Sequence, residues 1–261
     1  MIVLVSTTFL IQNQYYSSQI LATGAHDNAR AATELMASEI RSVMESGITV
    51  AGARTLTIRT PMVLATVCNV SGAGNSADVY TDGGEQALDT AEVAGIAIRN
   101  ATTGAWTYAN ATWSTLNGTV GSPAARCADA GADTVGAYDD HHRLSGLLAT
   151  IGAPAVGDLL MLFRETTFQF LTSEMDSTTV GLFRKPYGHD AVEYATGMDT
   201  TSQFQYKVGS VYGDTLPTAF LGFIDAIRIV VEARKRAETG GVDDVTFGWS
   251  VNIALRNLRQ D

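Results

Sequence analysis

The densest group of side chains capable of chemistry is Asp139-Asp140-His141-His142, where two carboxylates precede two imidazoles. Such residues serve elsewhere as metal ligands or as an acid–base pair. Adjacent residues point to different faces of the chain, so four in a row seldom converge on one ion. We therefore interpret this group as an exposed loop and predict no metal site.

A second acidic group, Asp78, Asp82 and Glu85, lies around a Gly-Gly pair and offers oxygen ligands of the kind that calcium prefers. Its spacing departs from that of the twelve-residue calcium loop. The chain also lacks a Gly-x-Ser-x-Gly elbow and a phosphate-binding loop. We predict that the chain is not an enzyme, with no catalytic residue, no cofactor and no small-molecule substrate.

Three aromatic residues, Trp106, Tyr108 and Trp113, lie close together in the sequence. They are open to two interpretations. The first is a surface that binds sugar or a protein partner, as in a secreted adhesin. The second is ordinary packing against the core, which we favour because buried aromatic rings dominate core energetics.

The net charge of −10 excludes general nucleic-acid binding, because an acidic chain repels phosphate backbones. Only 17% of the 261 residues are charged, and Thr, Ala and Gly are abundant. This composition favours an exported protein. In an oxidising compartment the two cysteines, Cys68 and Cys127, are expected to form a disulfide, with two buried thiols as the alternative.

The first 25 residues contain no charged side chain and open with a mostly apolar run. A secretory signal would begin with a basic region, and a membrane span needs about 20 apolar residues. We therefore expect the hydrophobic helix to begin before Met1. The side chains predicted to insert into a membrane or an assembly are Ile2, Val3, Leu4, Val5, Phe9, Leu10 and Ile11.

Apolar residues continue at three- and four-residue spacing from His26 to Met44, which predicts that the helix extends to Gly47. A helix over residues 1–46 would be about 70 Å long. We expect residues 1–25 to be buried in lipid or among identical helices, and residues 26–261 to form an extracytoplasmic domain. The alternative is two helices broken near Gly24.

Beyond Gly47 the apolar period changes to two, which indicates antiparallel strands with one buried face. Residues 69–94 and 100–146 are interpreted mainly as loops, with short strands such as Ala77–Thr81 and Trp106–Trp113. For residues 224–236 a strand is favoured over a helix, because β-branched residues dominate. The predicted fold class is α+β: a long N-terminal helix with an apolar first half, packed on a loop-rich antiparallel sheet. The clearest strands are Thr55–Thr60, Gly95–Arg99, Phe168–Phe170, Phe204–Val208 and Val245–Leu255.

Several of these segments resemble, in the same order, minor pilins of the PilW type and J-type pseudopilins. The helix segment Asn28–Arg41 is similar to their Asn-x-Arg-x-Ala motif followed by a Leu, an acidic residue and an Ile-Arg pair. Gly181–Lys185 resembles their strand ending in Leu-Phe-Arg, and the Leu255–Leu258 ending resembles their closing strand. The family's processing site, a Gly followed by Phe-Thr-Leu-Ile-Glu, is absent.

The resemblance implies a pilin-like structural subunit of a type IV pilus or a type II secretion pseudopilus. Its implied partners are other pilin or pseudopilin subunits and inner-membrane lipid. Its implied location is the inner membrane, facing the periplasm or the cell exterior. The alternative is a single-pass accessory subunit of another membrane protein complex, which the missing processing site favours.

Overall fold

The computed structural model describes most of the chain, and the structural statements below refer to that part. It covers residues 2–44, 46–71, 76–81, 92–99, 106–110, 112–115, 141–145, 154–235 and 245–255. In these ranges the chain forms one α-helix, one short 3-10 helix and a 14-stranded antiparallel sheet.

Helix α1 is Ile2–Arg41, and the 3-10 helix is Thr218–Phe223. The strands in chain order are β1 (Ile48–Gly52), β2 (Thr55–Ser71), β3 (Ser76–Thr81), β4 (Gly95–Arg99), β5 (Trp106–Asn110), β6 (Thr112–Thr115), β7 (His141–Ser145), β8 (Leu159–Thr172), β9 (Val180–Pro186), β10 (Val192–Met198), β11 (Gln203–Val208), β12 (Val211–Gly213), β13 (Ala226–Lys235) and β14 (Val245–Ala254). The main sheet order is β12-β11-β13-β10-β9-β8-β2-β3-β7-β6.

The predicted fold class is wrong. Strands make up more than half of the described residues and form one curled sheet, and the helical stretch packed on it is only about 20 residues long. Of the ranges interpreted mainly as loops, residues 69–94 supply β3 and residues 100–146 supply β5, β6 and β7, and most of their other residues lie outside the described part of the chain. Weakly alternating, Thr-rich segments form strands here because their pairing partners lie far away in the sequence.

Helix α1 runs without a break through Gly24 and ends at Arg41, earlier than predicted. Gly47 is needed for a different reason than ending the helix. A Cβ atom there would lie 2.9 Å from the carbonyl oxygen of Met44 and 3.0 Å from that of Arg59. The backbone of Gly47 also accepts a hydrogen bond from the Arg59 amide, so this close approach fixes the chain where the helix gives way to the sheet.

The long strands β2 and β8 pair antiparallel along most of their length and lie in the interior of the sheet. Their register shifts between Pro61 and Val63, which is a β-bulge at a residue that cannot donate a ladder hydrogen bond. Before the bulge the even-numbered Leu56 and Ile58 are fully buried, and after it the odd-numbered Ala65 and Val67 are buried. The bulge therefore exchanges the two faces of β2 and bends the sheet.

Because of this bend the core lies in separate clusters. The largest lies between α1 and the sheet and contains Met36, Phe168 and Phe204. A second cluster, around Val79, Ile96 and Leu160, lies under the far half of β2 and β8.

The two C-terminal strand predictions are confirmed. The ambiguous segment 224–236 forms β13, and the cleanly alternating segment 245–255 forms β14. These two strands pair over ten positions, from Ala226 opposite Ala254 to Lys235 opposite Val245. Helix α1 packs across β14, β13 and β10.

Tyr206 of β11 ties the sheet to the turn between β1 and β2. Its side chain is fully buried, and its hydroxyl group donates a 2.9 Å hydrogen bond to the carbonyl oxygen of Gly52. Burial raises the pKa of the Tyr206 phenol well above its ordinary value of about 10. The protonated form is thus held in the folded state.

Replacing Tyr206 by phenylalanine is expected to lower the free energy of unfolding by about 1–3 kcal/mol at pH 7, because the Gly52 carbonyl loses its partner in a buried place. In the unsubstituted chain the raised pKa adds stability that is complete below pH ~10 and is lost as the pH rises beyond it. The loss of stability at alkaline pH should be smaller in Tyr206→Phe than in the unsubstituted chain.

Urea unfolding at pH 7 and at alkaline pH measures the free energy of unfolding in both conditions. The control is Tyr187→Phe, at a half-exposed position. Equal losses at alkaline pH in the two variants would contradict the raised pKa of Tyr206.

Candidate assembly surface

Helix α1 divides into a part that packs on the sheet and a part that does not. From Ala22 onward its side chains alternate between buried and exposed positions, with Ala29, Met36 and Ile40 completely buried. Before Ala22, every described side chain is exposed: Gln12, Tyr15, Tyr16, Gln19 and Ile20. The helix therefore carries a leading half, residues 2–21, whose described side chains its own sheet does not cover.

The exposed side chains of this leading half include large apolar groups. Tyr15 is 64% exposed, Tyr16 66% and Ile20 57%. Tyr15, Tyr16 and Ile20 lie within about one and a half turns. The four-residue spacing places Tyr16 and Ile20 on the same side of the helix, and Tyr15 extends the exposed apolar surface around it. An apolar group of this kind on a projecting helix is typical of an interaction surface.

An aromatic cluster holds the helix where it leaves the sheet. The imidazole ring of His26 stands edge-on against Phe247, at 4.9 Å between ring centroids, and against Trp249, at 5.6 Å. Two residues further along the helix, the side-chain amide of Asn28 donates a 3.4 Å hydrogen bond to the carbonyl oxygen of Thr196. These contacts fix the angle at which the leading half departs.

A buried ion pair holds the other end of the packed segment. The Nε atom of Arg184 in β9 donates a 2.8 Å hydrogen bond to Oε1 of Glu39 in α1. Only 11% of the Arg184 side chain and 12% of the Glu39 side chain is exposed. The second carboxylate oxygen of Glu39 has no hydrogen-bond partner, so the pair with Arg184 is what compensates this buried charge.

A cavity of about 450 Å³ lies beside this ion pair. The Arg184 guanidinium group stands 6.0 Å from the ring centroid of Tyr194, within cation–π range. The Oε1 atom of Glu193 is buried and lies 1.9 Å from where a Cβ atom on residue 181 would stand, so any larger residue at Gly181 would require the Glu193 side chain to shift. The lining residues are Glu92, Arg184, Pro186, His189, Asp190, Val192, Glu193 and Tyr194.

The cavity brings together carboxylates, a guanidinium group and an imidazole, and the Arg164–Glu92 pair at 3.2 Å adds a further cation nearby. Within the described part of the chain, no three His, Cys, Asp or Glu side chains are grouped so that they could hold a metal ion. Two of the charged groups at the cavity pair with residues outside its lining, Arg184 with Glu39 and Glu92 with Arg164, an arrangement that positions elements of the fold.

The residues predicted to insert into a membrane or an assembly all belong to α1, and the structure does not describe their side chains. They are Ile2, Val3, Leu4, Val5, Phe9, Leu10 and Ile11. Among the described residues, no helix combines the length and the apolar character needed to cross a membrane.

Only one of the two cysteines of the predicted disulfide lies in the described part of the chain. Cys68 lies in β2, is 4% exposed and is disulfide-bonded. Cys127, the other cysteine of the sequence, lies outside the described residues, so the pairing of the two stays a prediction.

Most of the acidic candidates lie outside the described residues, and the described ones lie on the paired strands β3 and β7. His141 and His142 open β7, while Asp139 and Asp140 lie outside the described residues, as do Asp82 and Glu85. Asp78 is completely buried, and its carboxylate accepts a 2.9 Å hydrogen bond from the side chain of Asn69. This partner inside the sheet explains the position of Asp78 without calcium.

The aromatic candidates take part in packing. Tyr108 lies edge-on to Phe163 at 5.3 Å between ring centroids, with the Arg59 guanidinium group 5.2 Å from the Tyr108 centroid. Trp106 packs against the same small core cluster. Trp113 lies in β6, and its side chain is outside the description.

Sequence reasoning missed His26, Glu39 and Arg184 as residues that position the helix. Glu39 was visible as a charge between apolar residues on the packed side of α1, which is a signal for a buried partner. The partner itself lies 145 residues away, and no local pattern identifies it.

Comparisons of the chain with protein-family models, with curated proteins and with solved structures find no match.

Proposed function

We propose that this chain is a structural minor subunit of a type IV pilus or a type II secretion pseudopilus, joined to its neighbours by the leading half of α1. The observation that carries the proposal is the exposure of Tyr15, Tyr16 and Ile20 on a helical segment whose described side chains its own sheet leaves uncovered. The uncharged sequence of residues 1–25 extends the same character to the start of the chain.

The proposed mechanism is mechanical. Covering an apolar side chain of this size contributes about 1.5–3 kcal/mol, so a few such residues account for a stable contact between helices. The contacts at His26 and the Glu39–Arg184 pair hold the helix rigidly on the sheet. A load applied to the leading half is thereby passed to the whole domain.

The disulfide at Cys68 supports a location facing the periplasm or the cell exterior, because disulfides persist in oxidising compartments. The partners of the leading half are then other pilin or pseudopilin subunits. The alternative, an accessory subunit of another membrane protein complex, would use the same helix surface with a different set of neighbours.

Site-specific photo-crosslinking in the native host tests this function. A photoreactive phenylalanine at Ile20 is expected to give adducts with filament subunits that sediment with sheared surface filaments or with the isolated pseudopilus. The matched control is Val211, which is 67% exposed and lies in β12, the strand at the other end of the main sheet order from β6. It should give few adducts.

Adducts from Ile20 with proteins of a different membrane complex would instead support the alternative. Equal and weak crosslinking from Ile20 and Val211 would show that the leading half has no partner, and would overturn both functions.

A further inference from the structure

Strand β14 lies at an edge of the sheet. It pairs with β13 along its whole length of ten residues, and no described strand pairs with its other side. A long edge of this kind offers unpaired backbone groups to any strand that reaches it.

The register identifies the backbone groups that point outward. The amide of Leu255 donates a 3.0 Å hydrogen bond to the carbonyl oxygen of Asp225, so Leu255 directs its N–H group toward the side of β13. Hydrogen-bonded and non-hydrogen-bonded pairs alternate along an antiparallel ladder. The residues of β14 that direct their N–H and C=O groups away from β13 are therefore Thr246, Gly248, Ser250, Asn252 and Ala254.

The usual protection of an edge is absent from β14. Proteins commonly discourage edge pairing with charged side chains, prolines, bulges or very short strands. The ten residues of β14 include neither a charged residue nor a proline, and the β13–β14 register has no shift. The five outward residues have small or short side chains and are exposed.

We propose that a second copy of this chain pairs with β14, antiparallel and about a two-fold axis at Ser250. Ser250 then lies opposite Ser250 of the partner subunit, and Gly248 lies opposite Asn252 of the partner subunit. All five outward residues find a hydrogen-bonding position, which gives about ten backbone hydrogen bonds across the seam. Because β14 has no charge, two copies meet without repulsion.

The side chains on the helix-facing side of β14 support the proposal that the strand pairing with this edge is β14 of a second copy. In this register Phe247 lies opposite Ile253 of the partner subunit, and Trp249 lies opposite Val251 of the partner subunit. Phe247, Trp249 and Val251 are only partly buried within one copy. Pairing places each aromatic ring beside a β-branched side chain, which is a favourable cross-strand combination.

This pairing goes beyond the proposed function. A two-fold axis through Ser250 sets the two copies of α1 antiparallel on one face, so their leading halves point in opposite directions. Edge pairing and joining through the helix are separate contacts, and either can fail without the other.

The test uses the full chain in mild detergent, in an Ile20→Ser background that weakens contacts of the leading half. Sedimentation is expected to show a species of twice 27.7 kDa. Ser250→Lys sets two ammonium groups opposite each other and should convert it to the monomer. An equimolar mixture of Ser250→Lys and Ser250→Glu should restore the dimer, because the mixed pair places opposite charges together.

The control Val211→Lys adds the same charge at an exposed position on β12 and should leave the dimer intact. Hydrogen exchange gives a second measurement, since the amides of the five outward residues should gain protection as concentration rises. A parent chain that stays monomeric at the highest concentration, or a dimer that persists in Ser250→Lys, overturns the proposal. The crosslinks expected from Ile20 in the host would be unaffected by either result.

Discussion

Replacing Phe204 by alanine is expected to lower the free energy of unfolding by about 3–5 kcal/mol, one of the two largest effects anticipated for a single substitution in this chain. Phe204 is completely buried in β11, and its ring lies 4.9 Å from that of Phe170 in β8, between centroids. Both rings belong to the cluster that separates α1 from the sheet. Removal of one ring leaves a void bordered by side chains that the strands hold in place.

The backbone at this position limits how far the void can close. The amide of Phe204 donates a 2.8 Å hydrogen bond to the carbonyl oxygen of Ala53, and β11 is also paired with β13. Because the strand cannot move inward without losing these bonds, the cost should lie in the upper part of the range.

Equilibrium unfolding in urea measures the effect, with Phe220→Ala as the matched control. Phe220 is 50% exposed in the 3-10 helix, and its removal should change stability by no more than about 0.5 kcal/mol. A cost at Phe204 close to that of the control would contradict the close packing of this cluster.

The strands with clean alternation were predictable from sequence. Val245–Ala254 alternates apolar and small polar residues over its whole length, and it forms a half-buried strand as expected. Phe204 and Tyr206 likewise occupy the buried face of β11. In these segments local pattern and burial agree because one face of the strand meets the core and the other meets solvent.

The extent of the sheet was not predictable in the same way. The alternation that begins at Thr55 is broken at Pro61, where the bulge exchanges the faces of β2, so the strand was expected to end early. Strands β6 and β7 pair with each other although neither has a strong apolar period. Such pairing depends on partners distant in sequence, and local propensity does not carry that information.

The candidate assembly surface was predictable in part. The lack of charge over residues 1–25 indicated a helical segment that its own domain would not cover, and the exposure of Tyr16 and Ile20 agrees with that expectation. The contacts that set its direction were not predictable, because His26 meets Phe247 and Trp249 only through the tertiary fold.

The buried pair of Glu39 and Arg184 gives the second large effect. Replacing Arg184 by methionine is expected to cost about 3–5 kcal/mol, because the Glu39 carboxylate would remain buried without a counter-charge. Glu39→Leu should cost a similar amount, since it leaves the guanidinium group of Arg184 in the same position. The double variant should recover most of the loss, because two apolar side chains of similar size can fill the site.

The four free energies of unfolding from this double-mutant cycle give the coupling between the two residues, and we expect several kcal/mol. The matched control is the Arg30–Glu34 pair on the same helix, joined at 2.7 Å but with 60% and 64% of the side chains exposed. Its coupling should be several-fold smaller, because solvent screens an exposed pair. Burial, which differs between the two pairs far more than distance does, is then the cause of the difference. Equal coupling in the two cycles would show that the Glu39–Arg184 pair does not hold α1 on the sheet, and would remove the rigid connection through which the proposed subunit passes load from its helix to its domain.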